Sequence, residues 1–403
     1  MQRGFPVAPP RAVLEDAVLP IALKMLFGDR GKYLGIVIGI ALATVLMIQQ
    51  PGILISILKT VNGVINDVSG VDIWVMDPMV KSVDDAKPLM DTQLYRVKGV
   101  PGVAWAVPFY KGSFKVRMAN GETVQSVAIG LDDATLIGGP GQLLHGSLAD
   151  LRQPDSIIVD KAGADGRLAK PSSTPGGKPT PLQVGDTLEI NDRRAVVVGI
   201  AQATQTFASQ PTIYTTYTRA KAFALTERKM LTFILAKARP GEDPGAVAAR
   251  IASQTGLGAY SAQQFRAKNL QYMVKNTSII LNFGFVVLVG FIVGAAVTGQ
   301  IFYNFTLDNL RHFGVFKAMG ATDGMLRRMI LLQAAVVGLI GFGLGAGFTS
   351  LFALNSSSSD LGMTLNWTLL LASGGAVLVI VLLAALLSIR KVMKLEPAIV
   401  FKG

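Results

Sequence analysis

Four long stretches without a formal charge constrain this chain more than any other feature: Tyr33 to Leu58, Asn276 to Leu307, Met329 to Ser359 and Leu361 to Ile389. A helix of about 20 apolar residues crosses the hydrocarbon core of a bilayer. All four runs are longer, and we expect spanning helices near 33–57, 278–303, 329–353 and 367–389. One such run could be a buried helix of a soluble protein, but four in one chain are not explained that way. Composition agrees, since 16% of residues are charged against about 25% in soluble domains. The first run exceeds the roughly 7–15 residues of a signal peptide's apolar region, and no small-x-small cleavage site follows it. Gln49, Gln50 and Pro51 read as a kink near its outer end.

The basic residues beside the spans give an orientation. Segment 1–32 carries Arg3, Arg11, Lys24, Arg30 and Lys32, the loop 304–328 carries Arg311, Lys317, Arg327 and Arg328, and the tail 390–403 carries Arg390, Lys391, Lys394 and Lys402. The short loop 354–366 carries none. Because Lys and Arg accumulate on the cytoplasmic side, both termini and the 304–328 loop are expected in the cytoplasm. The long segment 59–275 is then expected outside, where translocated domains largely escape the charge rule. The net charge of +12 thus reads as membrane topology, and nucleic acid is not an expected partner.

Segment 59–275 reads as mixed α and β. Asp72 to Met76 suits a strand, residues 84–98 a helix with Pro88 in its first turn, and Val103 to Pro108 a second strand. The same order recurs later: a strand at Leu231 to Ala236, a helix opened by Asp243-Pro244 and reaching about Gln254, a Gly256–Gly258 break, and a strand at Ala259 to Ala262. Together they predict a split β-α-β sheet whose halves come from the two ends of the domain. The intervening 109–225 is expected to be β-rich. Asn120-Gly121 lies between Ser113–Met118 and Thr123–Ile129 as a hairpin signal, and Asn191–Arg194 is a polar turn between Leu188–Ile190 and Ala195–Ile200. Residues 169–181 read as a flexible loop, and Val184-Gly185-Asp186 as the start of a small β unit.

Catalytic chemistry is poorly represented. Cysteine is absent and the chain has two histidines, His145 and His312, which leaves no thiolate nucleophile and no multi-histidine metal site; no metal is expected. No G-x-S-x-G elbow accompanies His145, which reads as a surface residue of a Gly-rich loop. Asp84-Asp85 and Asp132-Asp133 read as helix-start and turn residues. No phosphate-binding G-x-x-x-x-G-K-[ST] sequence occurs: Gly176-Gly177-Lys178 is followed by Pro179. No catalytic residue is assigned, and the chain does not read as its own P-loop ATPase.

The 304–328 loop is the most informative stretch. We expect the second span's helix to continue to Met319, Gly320 to end it in left-handed geometry, and Thr322 or Asp323 to cap a helix running into the third span. Phe313, Phe316 and Met319 or Gly320 form a narrow apolar stripe with Arg311 and Lys317 beside it. Two uses suit it: docking into a groove of another protein, or lying on lipid headgroups.

The run Phe313-Gly314-Val315-Phe316-Lys317-Ala318-Met319-Gly320-Ala321-Thr322 resembles the loop signature of FtsX-like ABC permeases, and Arg390 to Gly403, with Leu395, Pro397-Ala398 and Phe401-Lys402-Gly403, resembles that family's C-terminus. One span, a large outer domain and three further spans match its topology. Phe316 stands where Leu is commoner, and Arg311-His312 where Arg-Glu is usual.

The resemblance implies a membrane protein with four transmembrane helices and a large extracytoplasmic α+β domain of MacB type, in which a split β-α-β porter unit carries an inserted β-rich subdomain. Its parts would be 1–32, a cytoplasmic segment with an amphipathic helix at Val18 to Phe27; 33–58, the first span; 59–275, the outer domain; 276–303, the second span; 304–328, a coupling loop; 329–389, spans three and four; and 390–403, the tail. It also implies a non-catalytic permease subunit of an ABC exporter, most similar to DevC-like permeases without a fused ATPase domain. ATP and Mg would bind a separate ATPase subunit, docked through Arg311, Phe313, Phe316, Lys317, Met319 and Gly320. A second permease copy and a membrane-fusion adaptor are the further partners implied, in the inner membrane of a bacterium. Related permeases instead regulate a cell-wall hydrolase or extract lipoproteins, and both alternatives remain open here. The pairs Gly35/Gly39, Gly290/Gly294, Gly341/Gly345 and Gly343/Gly347 are spaced for close helix contact, either within one subunit or at a dimer face.

Overall fold

The structure, a computed structural model, describes residues 11–118, 120–172, 177–204, 210–224, 230–355 and 363–393. The end of the tail signature, from Lys394, lies outside the described residues. The chain divides into two compact units, Met1–Ser56 with Ile279–Gly403, and Ile57–Ser278.

In chain order the first helices are α1 (Arg11–Gly28) and α2 (Arg30–Thr60). The folded insert contains α3 (Gly63–Asp67), β1 (Ile73–Met76), α4 (Thr92–Lys98), β2 (Val103–Arg117), β3 (Thr123–Leu131), β4 (Gln142–His145), β5 (Ser156–Asp160), α5 (Lys161–Asp165), β6 (Thr187–Ile190), β7 (Arg193–Gln202), β8 (Thr212–Thr216), α6 (Tyr217–Phe223), β9 (Phe233–Ala238), α7 (Pro244–Thr255), β10 (Gly258–Ser261) and α8 (Ala262–Asn276). The chain then forms α9 (Ile279–Asp308), α10 (Leu310–Ala318), α11 (Asp323–Asn355) and α12 (Trp367–Met393).

Helices α2, α9, α11 and α12 are each long and apolar enough to cross a membrane. Helix α2 runs unbroken through Pro51, whose missing N–H leaves the carbonyl one turn earlier without its usual partner. Glycines set how closely the helices meet. A methyl group at Gly294 of α9 would lie 2.4 Å from the Ala43 β-carbon of α2, and one at Gly290 3.0 Å from that of Leu46. In the reverse sense, Gly35 and Gly39 of α2 face Ile301 and Val297 of α9. Gly341 and Gly345 of α11 face Ile40 and Thr44 of α2, with the Ala41 carbonyl 2.6 Å from where a Gly345 methyl would sit. Of the two uses open to the glycine pairs, these three pack within one subunit. Gly343 and Gly347 have no atom within 4 Å of that position.

Helix α1 extends well beyond the expected Val18–Phe27. Ala22 and Leu26 are fully buried in the bundle core, Phe27 is exposed, and the buried Gln333 amide of α11 donates to the Ala22 carbonyl at 2.9 Å. Asp29 caps α2 by accepting from the Lys32 N–H at 3.3 Å, and Lys32 also pairs with Asp308 at the end of α9. The hydrogen bond from the Lys32 ammonium holds the Asp29 carboxyl below its ordinary range.

In the insert, the strand order β10-β1-β9-β2 interleaves the units β1-α4-β2 and β9-α7-β10, with antiparallel neighbours, as the split arrangement requires. Both faces are covered, so strand residues are apolar without alternation. Ile73, Val75, Ile234 and Ala236 join Val97 of α4 and Val247 and Ile251 of α7 in one core. Trp74, Phe109 and Phe233 meet Phe265 of α8 in the other. The order continues β2-β3-β8-β5-β7-β4, with β6 beside β2 and β7. The turn between β6 and β7 narrows to Asn191 and Asp192, both at positive φ (46° and 63°), as a two-residue primed hairpin demands.

Three local expectations change. Residues 84–91 are not helical: Asp84 and Asp85 lie in a turn closed by the Asp85 N–H on the Ser82 carbonyl, and Leu89 bridges Leu231, so α4 starts only at Thr92 and Asp84-Asp85 is no helix start. The expected strands 103–108 and 113–118 are one, β2, which pairs with β9 as far as Phe109 and with β3 from Tyr110. His145 ends strand β4, exposed, and does not sit in a loop.

Asn269 of α8 ties together the segments where the chain enters and leaves the insert. Its amide donates to the Val61 carbonyl and the Asn62 side chain at 2.8 and 2.9 Å, and its carbonyl accepts from the Val83 N–H at 3.0 Å. Farther away, Asp91 accepts from Tyr217 and Lys221 of α6, both at 2.7 Å.

Gly294→Leu and Gly345→Leu should each destabilise the bundle by about 1–3 kcal/mol or more, whereas Gly343→Leu should leave it unchanged; thermal unfolding of the purified protein in detergent measures this. Burial tends to raise the Asp91 pKa, but its bonds from Lys221 and Tyr217 prevail and lower it from 3.8. Its contribution to stability is therefore present above that value and disappears as pH falls through the folded pKa. The difference in Tm between wild type and Asp91→Asn should accordingly shrink on acidification below pH 3.8.

Candidate coupling surface

The helix of the second span does not continue to Met319. It ends at Asp308, and Asn309 (φ −91°, ψ 4°) separates it from α10. The Asn309 amide donates to the Phe305 carbonyl at 2.8 Å, supplying a side-chain bond where the helical ladder stops. At its other end α10 closes with a Schellman motif: Gly320 has φ +100°, its N–H bonds the Lys317 carbonyl, and the Ala321 N–H bonds the Phe316 carbonyl at 2.9 Å. Only a residue without a β-carbon takes that φ cheaply. Thr322 then caps α11, its hydroxyl accepting from the Met325 N–H at 3.3 Å. A Lys317–Asp323 ion pair at 3.4 Å spans the turn.

The expected stripe divides in two. Phe313 is 0% exposed and belongs to the bundle core with Leu26, Leu326 and Ile330. Gly314 is buried as well, and Phe316 packs half-buried against the same core. Phe313 is thus unavailable to a partner: the short helix does bury its apolar face within its own unit. Exposed instead are Arg311, His312, Val315 (41%), Ala318 and Met319 (46%), followed by Arg327 and Arg328 in the first turns of α11. Arg311, Val315 and Met319 follow one another at i, i+4, i+8 and form one outward row. Val315 was missed by the sequence reading, although that spacing from Arg311 to Met319 could have found it. The helix-packing glycines lie apart from this surface, against Ala43, Leu46, Ile40, Thr44 and the α9 side chains. Among the described residues no cluster of His, Asp and Glu suits a metal ion.

The MacB-like periplasmic core domain profile matches residues 33–254 and the FtsX-like permease C-terminal profile residues 284–397. The chain belongs to the MacB/FtsX family of ABC transporter permeases, and it is a membrane protein. An uncharacterized ABC transporter permease of Mycobacterium tuberculosis is 26% identical over 343 residues, covering 84% of this chain and 86% of that protein. One of Mycobacterium bovis is 25% identical over 375 residues, covering 89% and 95%. Among solved structures, the periplasmic region of MacB from Actinobacillus actinomycetemcomitans matches 53% of this chain and 96% of that one, at 12% identity and a TM-score of 0.34. The extracellular domain of the YknZ transporter from Gram-positive bacteria matches 47% and 98%, at 12% identity and a TM-score of 0.32.

Phe313→Ala should cost about 3–5 kcal/mol of stability, the usual price of emptying a packed aromatic site, whereas Val315→Ala should stay within about 0.5 kcal/mol. Thermal unfolding of the two variants side by side makes the comparison.

Proposed function

We propose that the chain is the permease subunit of an exporter in the bacterial inner membrane, with both termini and the 304–328 loop in the cytoplasm and the insert in the periplasm. A separate ATPase subunit, which binds ATP and Mg, docks on the outward row Arg311, Val315 and Met319 together with Arg327 and Arg328. One observation carries this reading: α10 presents cationic and apolar side chains outward while Phe313 is sealed in the bundle core. A surface helix anchored in that way can be pushed without peeling off, so displacement passes into the spans. Two copies related by a two-fold axis would bring two ATPase subunits together as nucleotide binds. The insert then moves a periplasmic or outer-leaflet substrate towards an adaptor protein, and no substrate crosses the bundle. Basic residues flanking one side of the spans support the orientation, and the Asn269 tie supports movement of the insert as one body.

Co-purification with the candidate ATPase subunit tests the docking. Val315→Asp and the double change Arg327→Glu, Arg328→Glu should each weaken capture about tenfold or more while leaving the permease monodisperse on size exclusion. Undiminished capture and ATPase stimulation by both variants would refute the assignment.

A further inference from the structure

The insert contains a cavity of about 530 Å³ lined by Asp84, Pro88, Lys111, Ser113, Met230 and Thr232, among others. That volume is in the range of cavities that enclose small organic ligands. It lies where β2 changes partners, pairing with β9 up to Phe109 and with β3 from Tyr110. The coupling reading above makes no use of it.

Lys111 gives the cavity its chemistry. Among the described residues it is the only basic one in the lining, and its side chain is 8% exposed, whereas that of its partner Asp84 is 77% exposed. The ammonium and the Asp84 carboxylate are 2.7 Å apart. Among the described residues Asp84 is the one acceptor the ammonium has, although an ammonium carries three donors. Backbone bonds fix the lysine in place: its N–H donates to the buried Thr232 hydroxyl at 2.7 Å, and that hydroxyl donates to the Phe109 carbonyl at 3.1 Å. A buried cation is costly unless paired. Here its counter-ion is a largely hydrated side chain that can swing away into water at little loss. An incoming carboxylate could take its place. The apolar part of such a ligand would meet Ala86, Pro88, Val127 and Met230, and its carboxylate the hydroxyl of Ser113.

We propose that this cavity is a binding site for small amphiphilic carboxylates, with Lys111 as the anion-binding residue and Asp84 as a displaceable internal counter-ion. The site does not depend on the docking of an ATPase, and it can be tested without one.

The test uses the full-length chain in lipid nanodiscs, titrated calorimetrically with 4-phenylbutyrate and with its uncharged amide, empty nanodiscs serving as the blank. Wild type should bind the acid at least about tenfold tighter than the amide, since a charge-assisted bond is lost. Lys111→Met should abolish that preference. Asp84→Ala should bind the acid several-fold tighter than wild type, because the competitor for the ammonium is gone; a merely structural Lys111–Asp84 pair would give no tightening, and this arm remains informative if the lysine variant folds poorly. Equal affinity for acid and amide, no binding of either, or unchanged or weaker acid binding by Asp84→Ala would overturn the proposal.

Discussion

Close backbone approach around α2 is the constraint on which the membrane unit depends. In lipid the hydrophobic effect gives helices no reason to prefer one another over acyl chains, so association rests on packing and on what little polar contact is available. Helix α2 answers this in two directions, meeting α9 through reciprocal glycines, Gly35 and Gly39 on one helix and Gly290 and Gly294 on the other, and meeting α11 through Gly341 and Gly345. The buried hydroxyls contribute little between helices. Thr44, Thr306 and Thr349 bond back to carbonyls of their own helices four residues earlier, which satisfies them locally. Shape, more than polarity, specifies which helix lies beside which. Polar ties between helices do occur, in the buried Gln333 bond to the Ala22 carbonyl, which joins α1 to α11, and in the exposed Lys32–Asp308 pair between α2 and α9.

The same constraint explains what could be read from the sequence. Span positions were legible because a bilayer demands long apolar helices whatever they pack against. The split sheet was legible because Asp243-Pro244 and the glycines at 256–258 punctuate α7 on both sides, and Gly256 does take the left-handed conformation (φ 73°). Glycine spacing showed that helices would approach closely but not which ones, since a GxxxG face looks the same inside a subunit and between two. That choice depends on what stands opposite, such as Ala43 against Gly294.

Where the reading went astray, a distant contact had overridden a local preference. The acidic residues and Pro88 of 84–98 favour a helix start, yet the bridge from Leu89 to Leu231 joins positions far apart in sequence and decides the conformation. Periodicity recognised the apolar stripe of the 304–328 loop but could not say what covers it. Phe313 is an aromatic residue beside basic ones in both readings; the break at Asn309 turns α10 so that this ring enters the core and Val315 faces out. Lys111 was invisible for a related reason. Its neighbour Thr232 stands just before β9, and Asp84 on the separate stretch that bridges Leu231 through Leu89, so nothing adjacent in sequence marks it as buried.

Rigidity is distributed in a way that suits the transmitting role proposed above. A helix held by its apolar face transmits a push better than one tethered by its ends, because displacing it must disturb a close-packed core that resists deformation. Phe313 gives α10 that attachment, and the Schellman closure at Gly320 with the Lys317–Asp323 pair stiffens the turn into α11. Within the insert, Asn269 satisfies three backbone or side-chain partners from two separate segments at once. Pulling either segment alone would therefore strand buried polar groups, at a cost comparable to a lost buried hydrogen bond or more. The segments that join the insert to the spans are thus bound to move together. By contrast, β2 passes from pairing with β9 to pairing with β3 at Phe109 and Tyr110, and the Lys111 cavity opens there.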